Sequence, residues 1–209
     1  MIVKQVTVSD VIETNVYFYI DEKTKHGFLI DPAAQADELL HLVKENGWTI
    51  EKMLITHGHF DHIGAVATLL NQLDIPYVAH QNGREYLTDG RLNLGDYCSR
   101  TFNLTDAEYV NDGDEIKLNA DPSVVLKVIH SPGHTPDSVL YYDATNKTAF
   151  VGDTIFKDSM GATHFPGGDF AQLQQSIRQK VLTLPDDTVL YSGHSEPTTV
   201  GYEKRNFGL

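Results

Sequence analysis

Cysteine is nearly missing from this chain. Cys98 is the only one among 209 residues, so no internal disulfide is possible and no thiolate cluster can hold a structural metal. Any metal must therefore be held by histidine and carboxylate. Long apolar runs are missing as well: no stretch approaches the ~20 apolar residues needed to cross a bilayer. The opening MIVKQVTVSD carries neither a charged leader nor an apolar run of signal-peptide length, so the expectation is a cytoplasmic protein. Basic residues are scarce, 16 Lys and Arg against 29 Asp and Glu. The field of a chain with net charge −13 repels phosphate backbones and anionic lipid surfaces, so neither nucleic acid nor a membrane is expected as a partner. Low-complexity segments and a convincing linker are also lacking. With 41% hydrophobic and 22% charged residues, disorder, collagen-like repeats and a coiled coil are poor descriptions. One domain over residues 1–209 is expected.

What the chain does have is strands. Ile2 to Val8, Asn15 to Ile20 and Gly27 to Ile30 read as an antiparallel opening separated by Asp/Glu/Lys turns. Leu39, Leu40, Leu42 and Val43 then fall at helical spacing in residues 35–46, stopped by Asn46-Gly47. Lys52 to Thr56 reads as a strand, His62 to Leu73 as a helix, Ile75 to Ala79 as a strand, and 81–100 as short helices. The second half repeats the plan, with strands at Val124–Ile129, Ser138–Tyr142, Thr148–Val151 and Thr188–Tyr191 and a helix from about Phe170 to Leu184. Two face-to-face sheets, each covered outside by helices, bury such strands on both sides: an α/β, four-layer αβ/βα sandwich.

Ten histidines are many for this length, and their placement is informative. Potential metal ligands follow strand after strand, at His57, at His130-Ser131-Pro132-Gly133-His134, at Gly152-Asp153 and at Ser192-Gly193-His194. Four strand ends therefore point to one rim, where rigid scaffolds place their chemistry. His57, His59, Asp61 and His62 crowd four donors into six residues, too many for one ion, and two ions resolve the crowding. A single strand-end histidine is usually an ordinary surface or core residue. An H-x-H-x-D-H string with three further Gly-flanked donors is not.

These residues resemble the metallo-β-lactamase superfamily, and the resemblance covers nearly the whole chain. It implies that His57, His59 and His134 hold a first metal and Asp61, His62 and His194 a second, with Asp153 bridging both. It also gives Asp61 the task of positioning a bridging hydroxide. Asp31 matches a family aspartate that braces the metal loop, although it reads equally well as a turn residue before Pro32. Two divalent ions are implied, zinc first, with iron and manganese also compatible with His and carboxylate. His130, His80, His26 and His41 are not nominated as ligands.

Gly152-Asp153-Thr154-Ile155-Phe156, Ser159-Met160-Gly161, Phe165-Pro166-Gly167-Gly168-Asp169 and Thr198-Thr199-Val200-Gly201-Tyr202-Glu203-Lys204 resemble the glyoxalase II-like hydrolases, which implies hydrolysis of a small-molecule thioester such as S-lactoylglutathione. The chain departs from that branch in two ways: it ends soon after Lys204-Arg205-Asn206, without the C-terminal helical domain of the full-length enzymes, and it has Ala162-Thr163-His164 where Lys or Arg and Tyr often meet the thiol carrier. His164 reads either as a substitute contact at the pocket mouth or as a solvated loop histidine. The main rival is a mononuclear iron persulfide dioxygenase using His57, His134 and Asp153. A phosphodiesterase or lactonase of the same fold ranks lower.

Overall fold

The computed structural model describes residues 1–208. Strands β1 (Ile2–Ser9), β2 (Glu13–Ile20), β3 (His26–Ile30), β4 (Thr49–Leu54), β5 (Tyr77–His80) and β6 (Glu108–Val110) form one sheet in that spatial order. The first three pair antiparallel, and β3 to β6 run parallel. The second sheet is built from β7 (Glu115–Lys117), β8 (Val125–His130), β9 (Val139–Asp143) and β10 (Thr148–Gly152). A separate hairpin of β11 (Ile155–Phe156) and β12 (Ser159–Met160) follows, and β13 (Val189–Ser192) and β14 (Thr198–Thr199) then extend the second sheet beside β10.

Side-chain alternation sorts these strands into three apolar layers. Val16, Phe18 and Ile20 of β2 face outward onto Leu39 of α1 (Ala36–Asn46), Ile63 of α2 (Phe60–Ile63) and Leu69 of α3 (Val66–Leu70). Their neighbours Tyr17 and Tyr19 face inward, where they meet Tyr141 of β9 and Phe150 of β10. Leu140 and Val151, on the far side of the second sheet, pack on Leu173 of α4 (Phe170–Ser176) and Val200 of α5 (Val200–Asn206). The result is the expected four-layer sandwich. Each fully buried side chain such as Phe18 or Leu29 contributes about 1.5–3 kcal/mol. No helix among the described residues is long and apolar enough to cross a membrane.

Several local expectations need correction. The strand expected over 52–56 starts at Thr49 and stops at Leu54, because the Thr56 N–H donates to the Asp31 carboxylate at 2.7 Å instead of to a neighbouring strand. The helix expected over 62–73 is two short pieces, α2 and α3. A Cβ at Gly64 would collide with the Ala33 carbonyl, and the Ala65 N–H donates to Pro32 O at 2.9 Å rather than back along the helix. That close approach diverts the chain. The helix expected over 170–184 is α4 followed by a π-turn over Ile177–Val181. Five short strands, β6, β7, β11, β12 and β14, and helix α5 carry too little periodicity to be read from sequence.

Candidate metal centre

The carboxyl ends of β3 and β4 in one sheet, and of β8, β10 and β13 in the other, come to a common rim. Backbone bonds tie the loops there across the two sheets: Val139 N–H to Thr56 O at 2.9 Å, Asn15 N–H to Gly193 O at 2.7 Å and Gly193 N–H to Gly152 O at 3.0 Å. All seven residues expected as ligands lie within this rim.

They fall into groups. The ring nitrogens His57 Nε2, His59 Nδ1 and His134 Nε2 form a triangle with sides of 3.1, 3.0 and 3.2 Å. His134 Nδ1 donates to Ala162 O at 2.7 Å, so its Nε2 presents a lone pair. His57 Nδ1 lies 3.2 Å from a Thr56 hydroxyl whose own proton goes to Asp31 Oδ2 at 2.6 Å, so His57 Nε2 is likewise unprotonated. Two lone pairs thus face each other at 3.2 Å, and the buried His59 Nε2 has no partner at all. Such an arrangement is repulsive unless a cation sits among the nitrogens. Burial, followed by neighbouring imidazole charge, keeps His57 well below its ordinary pKa and pushes His59 down to about 3. Burial lowers His134 too. These rings are neutral, as ligands must be.

In the second group Asp61 Oδ2 lies 3.2 Å from His194 Nε2 and 3.7 Å from His62 Nε2, and the two ring nitrogens are 3.4 Å apart. His62 Nδ1 donates to Asp31 Oδ2 at 2.9 Å and His194 Nδ1 to Glu13 O at 2.8 Å, which again turns both Nε2 atoms inward. Asp153 stands between the groups, with Oδ2 3.6 Å from His134 and 3.3 Å from His194 and Oδ1 3.4 Å from His62. Burial opposes charge here, but the carboxylates outweigh it: Asp153, Asp31 and Asp61 hold His62 well above its usual range, and Asp153 and Asp61 raise His194 to about 10. The same attraction keeps Asp153 ionised despite its burial. The second group is thus a strongly negative place that holds protons where a dication would go. His57, His62 and Asp153 also lie close enough to share an ion. The clusters fit a dinuclear metal site.

Residues around the centre set its geometry. Asp31, 2% exposed, accepts from Thr56 N–H, the Thr56 hydroxyl and His62 Nδ1, so it joins the loop after β3 to both groups. Reading the sequence missed Thr56, Asn15, Tyr17 and Asp137. Asn15 Nδ2 donates to Ser192 O at 3.1 Å and Ser195 O at 2.9 Å, and Tyr17 OH to Ser192 O at 2.6 Å, clamping the turn that carries His194. Asp137 Oδ2 accepts from the Gly58 N–H at 2.9 Å, holding the backbone between His57 and His59. Only a lone carboxylate in the Thr-Pro-Asp-Ser turn before β9 hinted at it. Burial pushes the Asp137 carboxyl up to about 6.

The other histidines stay apart. His80 and His130 stack on each other at 4.1 Å, His26 pairs with Glu51, and His41 lies 3.9 Å from Glu45. His164 is exposed and packs on Phe165 at 4.1 Å; it is not among the residues lining the cavity over the centre. A solvated loop histidine is the better description of it.

The model of the "Metallo-beta-lactamase superfamily" matches residues 10–194. The chain belongs to the metallo-β-lactamase superfamily. The probable metallo-hydrolase YqgX of Bacillus subtilis is 37% identical over 191 residues, covering 90% of this chain and 88% of that one. The hydroxyacylglutathione hydrolase GloC of Haemophilus influenzae is 32% identical over 189 residues, covering 87% and 86%. Among solved structures, BLEG-1, described as a B3 metallo-beta-lactamase, superposes with a TM-score of 0.91 at 33% identity over 98% of this chain and 97% of that one. TTHA1623 in a di-iron-bound form gives 0.85 at 30% over 97% and 98%. The expected superfamily and sandwich are both borne out, and with them membership of a metallo-hydrolase superfamily with a candidate metal-binding His/Asp cluster.

Proposed function

We propose that this chain hydrolyses a small-molecule thioester with two divalent ions, zinc foremost. His57, His59 and His134 would hold one ion, Asp61, His62 and His194 the other, and Asp153 both. The observation that carries this reading is the position of Asp153, whose two oxygens reach into both histidine groups. Bound at these donors, the ions supply an acidic water and a Lewis acid for a carbonyl oxygen.

The chain's own residues supply the rest. No Ser, Thr, Cys or Lys is among the residues lining the cavity over the centre, so no side-chain nucleophile competes with water, and Cys98, whose Sγ donates to Gly95 O, is not needed. Asp61, which lines the cavity and lies 3.2 Å from His194 Nε2, would accept a proton from the attacking water and orient it. The similarity to GloC points to thioesters among the possible esters. A mononuclear iron dioxygenase would leave the second group, Asp61, His62 and His194, without a task, and a phosphodiesterase would find no Lys or Arg among the lining residues.

Zinc-loaded protein should release free thiol from acyl thioesters at a rate that falls at least a hundredfold in Asp153→Ala. Oxygen uptake on a persulfide, or turnover of a chromogenic cephalosporin without thioesterase activity, would overturn the proposal.

A further inference from the structure

The cavity over the metal centre has about 270 Å³ of space. Its floor is the metal centre itself, and its walls are Ile12, Phe60, Leu94, Phe156, Ala162 and Phe165. None of these walls is charged. Ile12, a large apolar side chain, is 46% exposed and lines the cavity, which leaves its surface open to a ligand. Pro166 follows Phe165, and Tyr97, 81% exposed with its N–H on Leu94 O at 3.2 Å, lines a second groove with Pro166, Arg91 and Asp96.

Cations in the surrounding loops are already engaged by carboxylates. Arg91 donates to both oxygens of Asp89, Arg100 pairs with Asp10, and Lys157 pairs with Glu196. The net charge of −13 adds a field that disfavours anionic substrates. A glutathione thioester carries two carboxylates, and no Lys or Arg lines the cavity to receive either.

Resting on the thioesterase reading above, we infer that the substrate is an uncharged acyl thioester with an apolar acyl chain lying against Ile12, Phe156 and Phe165, on a thiol carrier without carboxylates. In the reaction, water oxygen joins the acyl carbon and the C–S bond breaks. The electron pair leaves with sulfur, and the products are a carboxylate, a thiol and one proton.

The test compares S-acetyl-, S-propanoyl- and S-butanoyl-N-acetylcysteamine with S-lactoylglutathione on zinc-loaded protein. The expected kcat/KM rises by up to about fourfold per added methylene, the increment for burying one CH₂, and exceeds that for S-lactoylglutathione by tenfold or more. Ile12→Lys should narrow that gap at least threefold. Calorimetry with two non-hydrolysable thioethers provides a readout without turnover: S-propyl-N-acetylcysteamine should bind at least tenfold tighter than S-propylglutathione. Thiol release with a flat chain-length series, or with S-lactoylglutathione preferred, overturns the substrate class and leaves the reaction standing. Absence of thiol release from every ester overturns the reaction, and the thioether pair then decides the preference of the cavity: equal or reversed affinity overturns it.

Discussion

Replacing Asp31 by Asn should weaken the second metal group more than the first. Asp31 Oδ2 accepts two protons, from the Thr56 hydroxyl at 2.6 Å and from His62 Nδ1 at 2.9 Å, while Oδ1 accepts the Thr56 N–H at 2.7 Å. An amide has one acceptor and one donor end. Either orientation therefore sets a donor against a donor, in a site where Asp31 is only 2% exposed. With the nitrogen facing His62, the imidazole must move its proton to Nε2, the atom that faces His194 and Asp61. Loss of one charge-assisted bond is worth about 1.5–3 kcal/mol, and disturbing the support of a ligand imidazole typically lowers metal affinity about 10–100-fold. Chelator competition with zinc should show the second equivalent weakened by that factor and the first changed by less than about threefold. Retention of both equivalents at unchanged affinity would refute the role given to Asp31.

Other perturbations follow the same geometry. Gly193→Ala places a Cβ against Asp153 Oδ1 and 2.6 Å from His62 Cε1, and should reduce bound zinc, measured by elemental analysis, while the metal-free protein keeps its far-ultraviolet circular dichroism. Burial holds the folded Asp137 carboxyl at about 6, against an ordinary 3.8, so the unfolded chain gives up this proton first. The contribution of Asp137 to stability is therefore full below about pH 3.8 and falls as pH rises through 6, by about 3 kcal/mol at 1.36 kcal/mol per unit. Denaturant unfolding should show Asp137→Asn gaining on wild type by that order between pH 4 and pH 7, and a pH-independent difference would contradict the assignment. His62 and His194 are both protonated at pH 7 in the absence of metal, so loading should release roughly two protons and weaken as pH falls. Calorimetry in buffers of differing ionisation enthalpy measures the number.

Much of this architecture was legible because it is written in two periods. Alternation along β2 and β9 gives each strand two apolar faces, and that alone implies layers on both sides of each sheet. The seven candidate ligands were legible because donors recur directly after strands, where the fold gathers them. What escaped was set by contacts between distant segments. Asp137 reaches Gly58 across 79 positions, and Asn15 reaches Ser192 and Ser195 across 177 and 180; no local pattern marks such pairings. The break between α2 and α3 depends on the Pro32–Ala33 loop pressing on Gly64, and β14 is two residues long, too short for any periodicity. Ile12 and Phe165 looked like ordinary loop residues until the fold placed them over the centre.

The central claim is that Asp153 joins two three-ligand sites into one centre. Metal content per chain after zinc loading and gel filtration, measured on wild type and Asp153→Ala side by side, tests it most directly. Two ions are expected in the wild type and loss of both tight sites in the variant. A wild type with a single ion, or a variant that keeps two, would contradict it.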